Sequence, residues 1–556
     1  MQTKRKTPRA SAAVMLTRGE GEGLEVFFVR RSPKLRFFGG SWAFPGGVLD
    51  DSDKALNSRM PAFPGTYQDP GVGEGDPDLG ALLVCALREL FEETGVLLEP
   101  LASVLDPKTE VGRDARQKLR AGLLPRAGAT DEAIEEWEQL CEPFLADGSL
   151  IAQTRPIGRI TTPAFRPLRY HTLFLAAGLP EGEHPEVLTG ELEQGSFKRP
   201  GDVLDAWNRG ERDVVPPVLF LLEMLRDELA SSVAGDAGID GFLVTAGVAL
   251  GKIAGGKLHA AYTSPGILAA PLRTPTLPPA ETTNTYLVGT SDIYIVDPAT
   301  YEEDERERLY ETLDEWQDQG RRVRGVILTH RHADHIGSAY CVSQRYRVPV
   351  MAHERTFADL DMLWEDPERN LGGRPDQLVE LKEGQTIDLG TAADGSEGWH
   401  LTVRHTPGHA QGHITLHDSR YGTAIVGDMA STISTIVIEP DEGHLATYLH
   451  SLQRLIDVAP GPIWALLPAH GPWVSDGARL VRRYLDHRAE REASLVRALA
   501  KGLDTTASIV RSVYADTPEE LWPYAESSLL AGLIKLEEEG RAVQAADRWL
   551  PVPELS

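Results

Sequence analysis

The feature that most limits what this chain can fold into is the run Thr329-His330-Arg331-His332-Ala333-Asp334-His335-Ile336-Gly337. It packs three imidazoles and a carboxylate into six residues, directly after a β-rich stretch at 323–329. A lone histidine is ordinarily a satisfied core or surface residue. Several imidazoles this close compete for hydrogen-bond partners and lose solvation unless a cation unites them. Further ligand-type side chains follow, each just past a short apolar run: His409 in Thr406-Pro407-Gly408-His409, Asp428 after Gly427, and His470 in Pro468-Ala469-His470-Gly471. A fold that collects them must bring the ends of several strands to one point.

The helical period marks a second site. Arg88-Glu89-Leu90-Phe91-Glu92-Glu93-Thr94-Gly95-Val96 sets Glu89, Glu92 and Glu93 at i, i+3 and i+4, on one face of a helix, with Leu83, Leu87 and Leu90 facing a core. Gly95 supplies a helix stop. Like charges so placed repel by roughly 0.2–0.5 kcal/mol per pair, a cost that a bound cation offsets. Oxygen-only ligands suit Mg²⁺ or Mn²⁺ rather than zinc. The ordinary alternative is an exposed acidic helix face. Against it stands Phe44-Pro45-Gly46-Gly47 upstream.

With that element the first half resembles the Nudix hydrolases, whose box reads G, five residues, E, seven residues, REUXEEXGU, with U aliphatic. Gly47 followed by five residues reaches Asp53, an aspartate where the family has glutamate, and an insert at about 54–79 separates it from an intact REUXEEXGU. The resemblance implies that Glu92 and Glu93 bind the metal, that Glu89 binds metal or acts as general base, and that Arg88 orients the glutamates. The reaction implied is attack of water on a diphosphate. Arg30-Arg31-Ser32-Pro33 and Gly39-Gly40 look like the coenzyme A diphosphatase-like branch. A nucleoside diphosphate linked to another group is the alternative substrate, and a non-catalytic nucleotide-binding module the alternative role.

The histidine run is the HxHxDH signature of the metallo-β-lactamase superfamily. By that resemblance His330, His332 and His409 hold one Zn²⁺, Asp334, His335 and His470 hold another, and Asp428 bridges them. Fe and Mn occupy similar donor sets. Asp334 is also a catalytic candidate, and His353, His405 and His413 are expected to be structural or supporting. The region 278–289 and Val296-Asp297-Pro298 look like the opening strands of this fold. With the tail described below, the second half is similar to the lactamase-β-like-2 hydrolases, which implies a phosphodiester or RNA-type substrate. Thioester hydrolysis of the glyoxalase-II kind is the rival.

At 556 residues the chain exceeds what one core supports. The expected fold class is α/β and α+β multidomain: a Nudix α/β/α sandwich at 1–230, a linker at 231–260, a metallo-β-lactamase αββα sandwich at 261–474, and a winged-helix-like domain at 475–556. The last rests on helical patterns near 477–499, 506–513 and 526–539, followed by two short strands. No apolar run approaches the roughly 18 residues of a membrane span, and the apolar stretch at 12–16 reads as a strand rather than a signal peptide. Cys85, Cys141 and Cys341 stand far apart in no metal or redox spacing, which fits a reducing cytoplasm. The net charge of -27 disfavours a general grip on nucleic acid or anionic membrane. The tail from Gly471 onward carries 11 Lys plus Arg against 14 Asp plus Glu, poor material for a phosphate-binding module. The expected partners are a small-molecule diphosphate and a second substrate, RNA or thioester.

Overall fold

The computed structural model describes residues 7–35, 38–57, 79–124, 129–162, 168–188, 190–231, 239–254, 260–364, 373–457 and 465–552. The chain divides into two compact units, Met1–His259 and Ala260–Ser556. Of the insert expected at about 54–79, residues 58–78 lie outside the described residues, and the segments bounding them, Asp51–Asn57 and Leu79–Thr94, are helices.

A seven-stranded sheet organises the first unit. Its strand Arg9–Arg18 runs parallel to Tyr170–Gly178 and antiparallel to Glu25–Arg31 and Gly46–Val48. This strand is buried from Ser11 to Thr17, which its unbroken apolar sequence allows on both faces of the sheet. Ala12, Val14 and Leu16 alternate into the core shared with the helix Leu79–Thr94. That helix buries more than the expected stripe, because Leu82 and Phe91 are covered too, Phe91 stacking on Trp137 of Asp131–Ala146 at 5.7 Å. The segment 231–260, read as a linker, holds the helix Ile239–Ala254. Phe242, Ala246 and Leu250 recur at i, i+4 and i+8 and are buried, so this stretch has a face that packs. Leu250 fits against Gly158 of the strand Thr154–Thr161, where an added Cβ would come within 2.6 Å.

Two sheets face each other in the second unit. One runs Leu378–Glu380, Val350–Ala352, Arg322–Ile327, Asp292–Val296, Thr282–Val288, Ile267–Arg273, Ala261–Ser264 in spatial order. The other runs Thr386–Gly390, Trp399–His405, Ile414–Asp418, Thr423–Gly427, Ala465–Pro468. Period-2 alternation separates their faces: Ile425 and Leu467 enter the core between the sheets, with Trp399 and Ile387, while Ala424, Val426 and Leu466 meet the helices Leu445–Asp457 and Gly477–Ala500. Glu303–Asp318 and Ala339–Tyr346 pack on Arg322–Ile327, giving helix, sheet, sheet, helix.

After Gly477–Ala500 come Thr506–Val513, Trp522–Glu538 and the hairpin Ala542–Ala545 with Arg548–Pro551, closed around Leu499, Ile509, Leu533 and Trp549. The third helix begins ahead of the expected 526 because Pro523 sits in its first turn, where a missing N–H costs nothing. Among the described residues no helix is long and apolar enough to cross a membrane. All three cysteines are free, with Cys85 and Cys141 buried.

Candidate functional site

Four strands of the second unit end in the sequence-picked ligands: Arg322–Ile327 leads to His330, Trp399–His405 to His409, Thr423–Gly427 to Asp428, and Ala465–Pro468 to His470. His332 caps the short helix Ala333–Ile336, which carries Asp334 and His335. Among the described residues, three groups of ligand atoms lie within 4.8 Å of one another: His330, His332 and His409; His330, His335 and Asp428; Asp334, His335 and His470. All seven expected ligands are therefore brought together. Asp428 stands between the triads, with Oδ2 3.5 Å from His409 Nε2 and Oδ1 3.6 and 3.4 Å from Nε2 of His335 and His470.

The outward nitrogen of each ring meets a group that fixes its tautomer. His409 Nδ1 donates to the Val437 carbonyl at 3.0 Å, and His470 Nδ1 to the Thr282 carbonyl at 3.1 Å. His335 Nδ1 donates to Asp297 Oδ2 at 2.8 Å. Thr329 gives its only hydroxyl hydrogen to Asp297 and so accepts from His330 Nδ1 at 3.0 Å. His332 Nε2 donates to Glu442 Oε2 at 2.8 Å. These assignments turn the second nitrogen of each of the five rings inward. His332 Nδ1 then lies 2.9 Å from both His330 Nε2 and His409 Nε2, lone pairs facing lone pairs. His335 Nε2 and Asp428 Oδ1 are buried with no hydrogen-bond partner. Unpaired buried polar atoms cost about 1–3 kcal/mol each, and divalent cations between the triads remove that cost. The donor set fits a dinuclear zinc or iron site.

The electrostatics divide the same way. Burial, reinforced by neighbouring imidazoles, pushes His330 well below its ordinary range and His409 down to about 4. Burial opposes charge on His335 and His470 too, but there the carboxylates win: Asp297 and Asp428 hold His335 high, and Asp428 with Asp334 raises His470 to about 10. Metal binding at the Asp334, His335, His470 triad must therefore displace protons. His413 joins neither triad; its Nε2 accepts the Asp428 amide at 3.1 Å and so fixes that backbone. His353 and His405 stack on each other at 4.0 Å and belong to none of the ligand groups. Asp297 and Glu442 were not singled out in the sequence. Asp297 closes an apolar strand just as the ligands do, a usable signal, and holds φ 48°, uncommon for a side-chain-bearing residue. Glu442 sits in an acidic loop and gives no such sign.

In the first unit, Arg88 is the hub. Its Nε and Nη2 donate to the two oxygens of Asp53 at 2.9 Å each, its Nη1 donates to Glu92 Oε1 at 2.9 Å, and Glu89 Oε1 lies 3.1 Å away. Glu93 turns instead to the Gly46 amide at 2.8 Å. Glu89, Glu92 and Glu93 thus share one helix face but do not form one of the tight ligand groups, since their oxygens are drawn to different donors. Asp53, the departure from the box, is buried and pairs in bidentate fashion with Arg88. Gly47 permits the approach of Glu89: an added Cβ would fall 2.3 Å from its carboxylate.

Burial, with Glu92 and Asp53 adding to it against the opposing Arg88, raises Glu89 from 4.5 to about 7. A carboxyl whose folded pKa is raised holds its proton longer in the folded state, so its stabilising contribution is full below about 4.5 and is lost as pH climbs through about 7. That is about 3 kcal/mol for the first unit without divalent ions. Added Mg²⁺ is expected to raise its unfolding midpoint strongly at pH 8 and weakly at pH 5.5, and Glu89→Gln to flatten this difference; calorimetry at the two pH values checks it.

A model described as the metallo-beta-lactamase superfamily matches residues 278–470, and one described as the beta-lactamase associated winged helix domain matches 505–549. The Beta-lactamase-like protein 2 homolog of Drosophila melanogaster is 28% identical over 262 residues, covering 47% of this chain and 83% of that protein. The Atrochrysone carboxyl ACP thioesterase of Passalora fulva is 26% identical over 247 residues, covering 42% of this chain and 64% of that one. A solved NUDIX hydrolase from Alicyclobacillus acidocaldarius aligns with 41% of this chain and 98% of its own at 26% identity, with a TM-score of 0.27. The second unit thus has the metallo-beta-lactamase fold and ends in a winged-helix domain.

Proposed function

We propose that the chain is a bifunctional metal-dependent hydrolase whose second unit cleaves an acyl ester or thioester and whose first unit cleaves a diphosphate linkage. The observation that carries the reading is the pair of ligand triads joined by Asp428 beside a cavity of about 560 Å³. When bound, two zinc ions supply a water-derived nucleophile near neutral pH and polarise the scissile oxygen. The chain's own contribution is preorganisation: Val437, Glu442, Thr282, Thr329 and Asp297 hold the five rings in the required tautomers before any substrate arrives.

The cavity wall favours an acyl group over a nucleic acid chain. Leu277, Pro278, Ile336, Ile436, Val437 and Leu521 line it. Its two arginines are already neutralised, Arg331 by Asp359 and Glu442, and Arg491 by Asp516. Glu439 lines the same space. A polyphosphate backbone entering there meets arginines whose charge is already paired. The Passalora fulva relative is named a thioesterase. Acyl-thioesters of graded chain length and single-stranded RNA, offered to the zinc-loaded full chain, separate the two. Turnover that rises with acyl length is expected. Cleavage of RNA without thioester turnover overturns the acyl reading.

In the first unit, support comes from the Arg88 hub and from the raised pKa of Glu89 and Glu93, both caused mainly by burial. Three carboxylates held partly out of water on one helix face suit Mg²⁺ or Mn²⁺. A coenzyme A or nucleoside diphosphate derivative is the substrate class this reading carries.

A further inference from the structure

We infer that Glu442 is a positioning residue that sets His332 in its metal-binding tautomer, with Arg331 and Asp359 locking the carboxylate behind it. The inference rests on the dinuclear reading of the second unit. His332 differs from the other four rings in presenting Nδ1, not Nε2, to the centre. A free neutral imidazole can carry its hydrogen on either nitrogen, and here only the Nε2–H form leaves Nδ1 able to bind. Among the other histidines, His470, His330 and His335 are held from the sheets or their immediate ends by the Thr282 carbonyl, Thr329 and Asp297, while His409 is held by the Val437 carbonyl. His332 depends on one carboxylate from the connection between Thr423–Gly427 and Leu445–Asp457.

That carboxylate is itself well determined. Glu442 Oε2 accepts from His332 Nε2 at 2.8 Å, while Oε1 lies 2.5 Å from Arg331 Nη2, and Arg331 Nε lies 3.1 Å from Asp359 of the helix Glu354–Trp364. The loop that carries it is fastened beside another ligand: His444 N–H donates to the Gly408 carbonyl at 2.7 Å, next to His409. At Gly443 an added Cβ would fall 2.6 Å from that same carbonyl and 2.9 Å from the carbonyl of His409, so only glycine allows this approach. Asp359, Arg331, Glu442 and His332 form one chain of charge-assisted contacts that ends at His332 Nε2, across the ring from the inward-facing Nδ1.

The experiment compares the full-length parent with Glu442→Ala and Glu442→Gln. Zinc binding is measured by competition with a chromophoric chelator, and the imidazole tautomers by long-range ¹H–¹⁵N NMR of the metal-free protein. Outer partners of ligand histidines are typically worth about 10–100-fold in metal affinity. Glu442→Ala should lose that much at one of two zinc equivalents, keep the other within about twofold, and show His332 as a mixture of tautomers. Glu442→Gln, whose amide oxygen still accepts from Nε2–H, should recover most of the affinity and the single tautomer. Parental affinity at both equivalents in Glu442→Ala, or a Gln variant as weak as the Ala variant in folded protein, overturns the inference. A parent that binds no zinc overturns the dinuclear reading itself, a distinguishable failure.

Discussion

The double variant His332→Ala, Asp334→Ala is expected to lose its bound zinc and to lose second-unit hydrolysis by more than about 10³-fold, the upper end of what one preorganised electrostatic donor supplies. Each substitution removes a ligand from a different triad, so neither half of the site is left complete. The fold should survive. His332 and Asp334 are partly exposed, with side-chain accessibilities of 24% and 16%, and they cap or open a four-residue helix rather than fill a core. Removing His332 also relieves the contact of its bare nitrogen with those of His330 and His409 at 2.9 Å. Metal analysis by mass spectrometry, turnover of the same acyl-thioester series and far-UV circular dichroism decide the matter together. Retained zinc and turnover in the folded variant would refute the ligand set; unfolding would show that these side chains carry structure instead.

The ligands were legible because their chemistry is written locally. His330, His409, Asp428 and His470 each follow a strand, and six residues already hold four of the seven. Asp297 carries the same mark and could have been read with them. Glu442 could not, because its meaning arises only when the loop after Asp428 returns to His332, 110 residues away in sequence. The helix Leu79–Thr94 was legible from its period, but not the division of its glutamates, since that depends on Asp53, 35 residues upstream, claiming two nitrogens of Arg88. In the glycine- and alanine-rich stretch at 231–260 the apolar run from Phe242 to Leu250 already marks a segment able to pack, and Phe242, Ala246 and Leu250 are buried. Local patterns therefore disclosed ligand types and helix faces. Outer partners, which arrive from elsewhere in the chain, escaped.

Glu92→Gln is expected to abolish diphosphate hydrolysis by the first unit while leaving second-unit turnover within about twofold. The amide keeps the size of the side chain and can still accept from Arg88 Nη1, now 2.9 Å from Glu92 Oε1. What it loses is the charge that a hard divalent cation needs. Arg88 retains its bidentate partner Asp53, so the buried guanidinium is not orphaned and the unit stays folded. Asp53→Ala is the informative contrast. It leaves Nε without its acceptor and Nη2 with only its longer bonds to the Val48 carbonyl and the Cys85 sulfur, in a buried setting where breaking such a pair typically costs about 3–5 kcal/mol. Glu92→Gln should therefore change activity at nearly constant unfolding midpoint, and Asp53→Ala should lower the midpoint first. Release of phosphate-containing products from coenzyme A and nucleoside diphosphate derivatives, with calorimetry alongside, measures both. If pure, folded Glu92→Gln protein hydrolysed these compounds at the parental rate, the carboxylate face of Leu79–Thr94 would be an acidic surface and not a metal site.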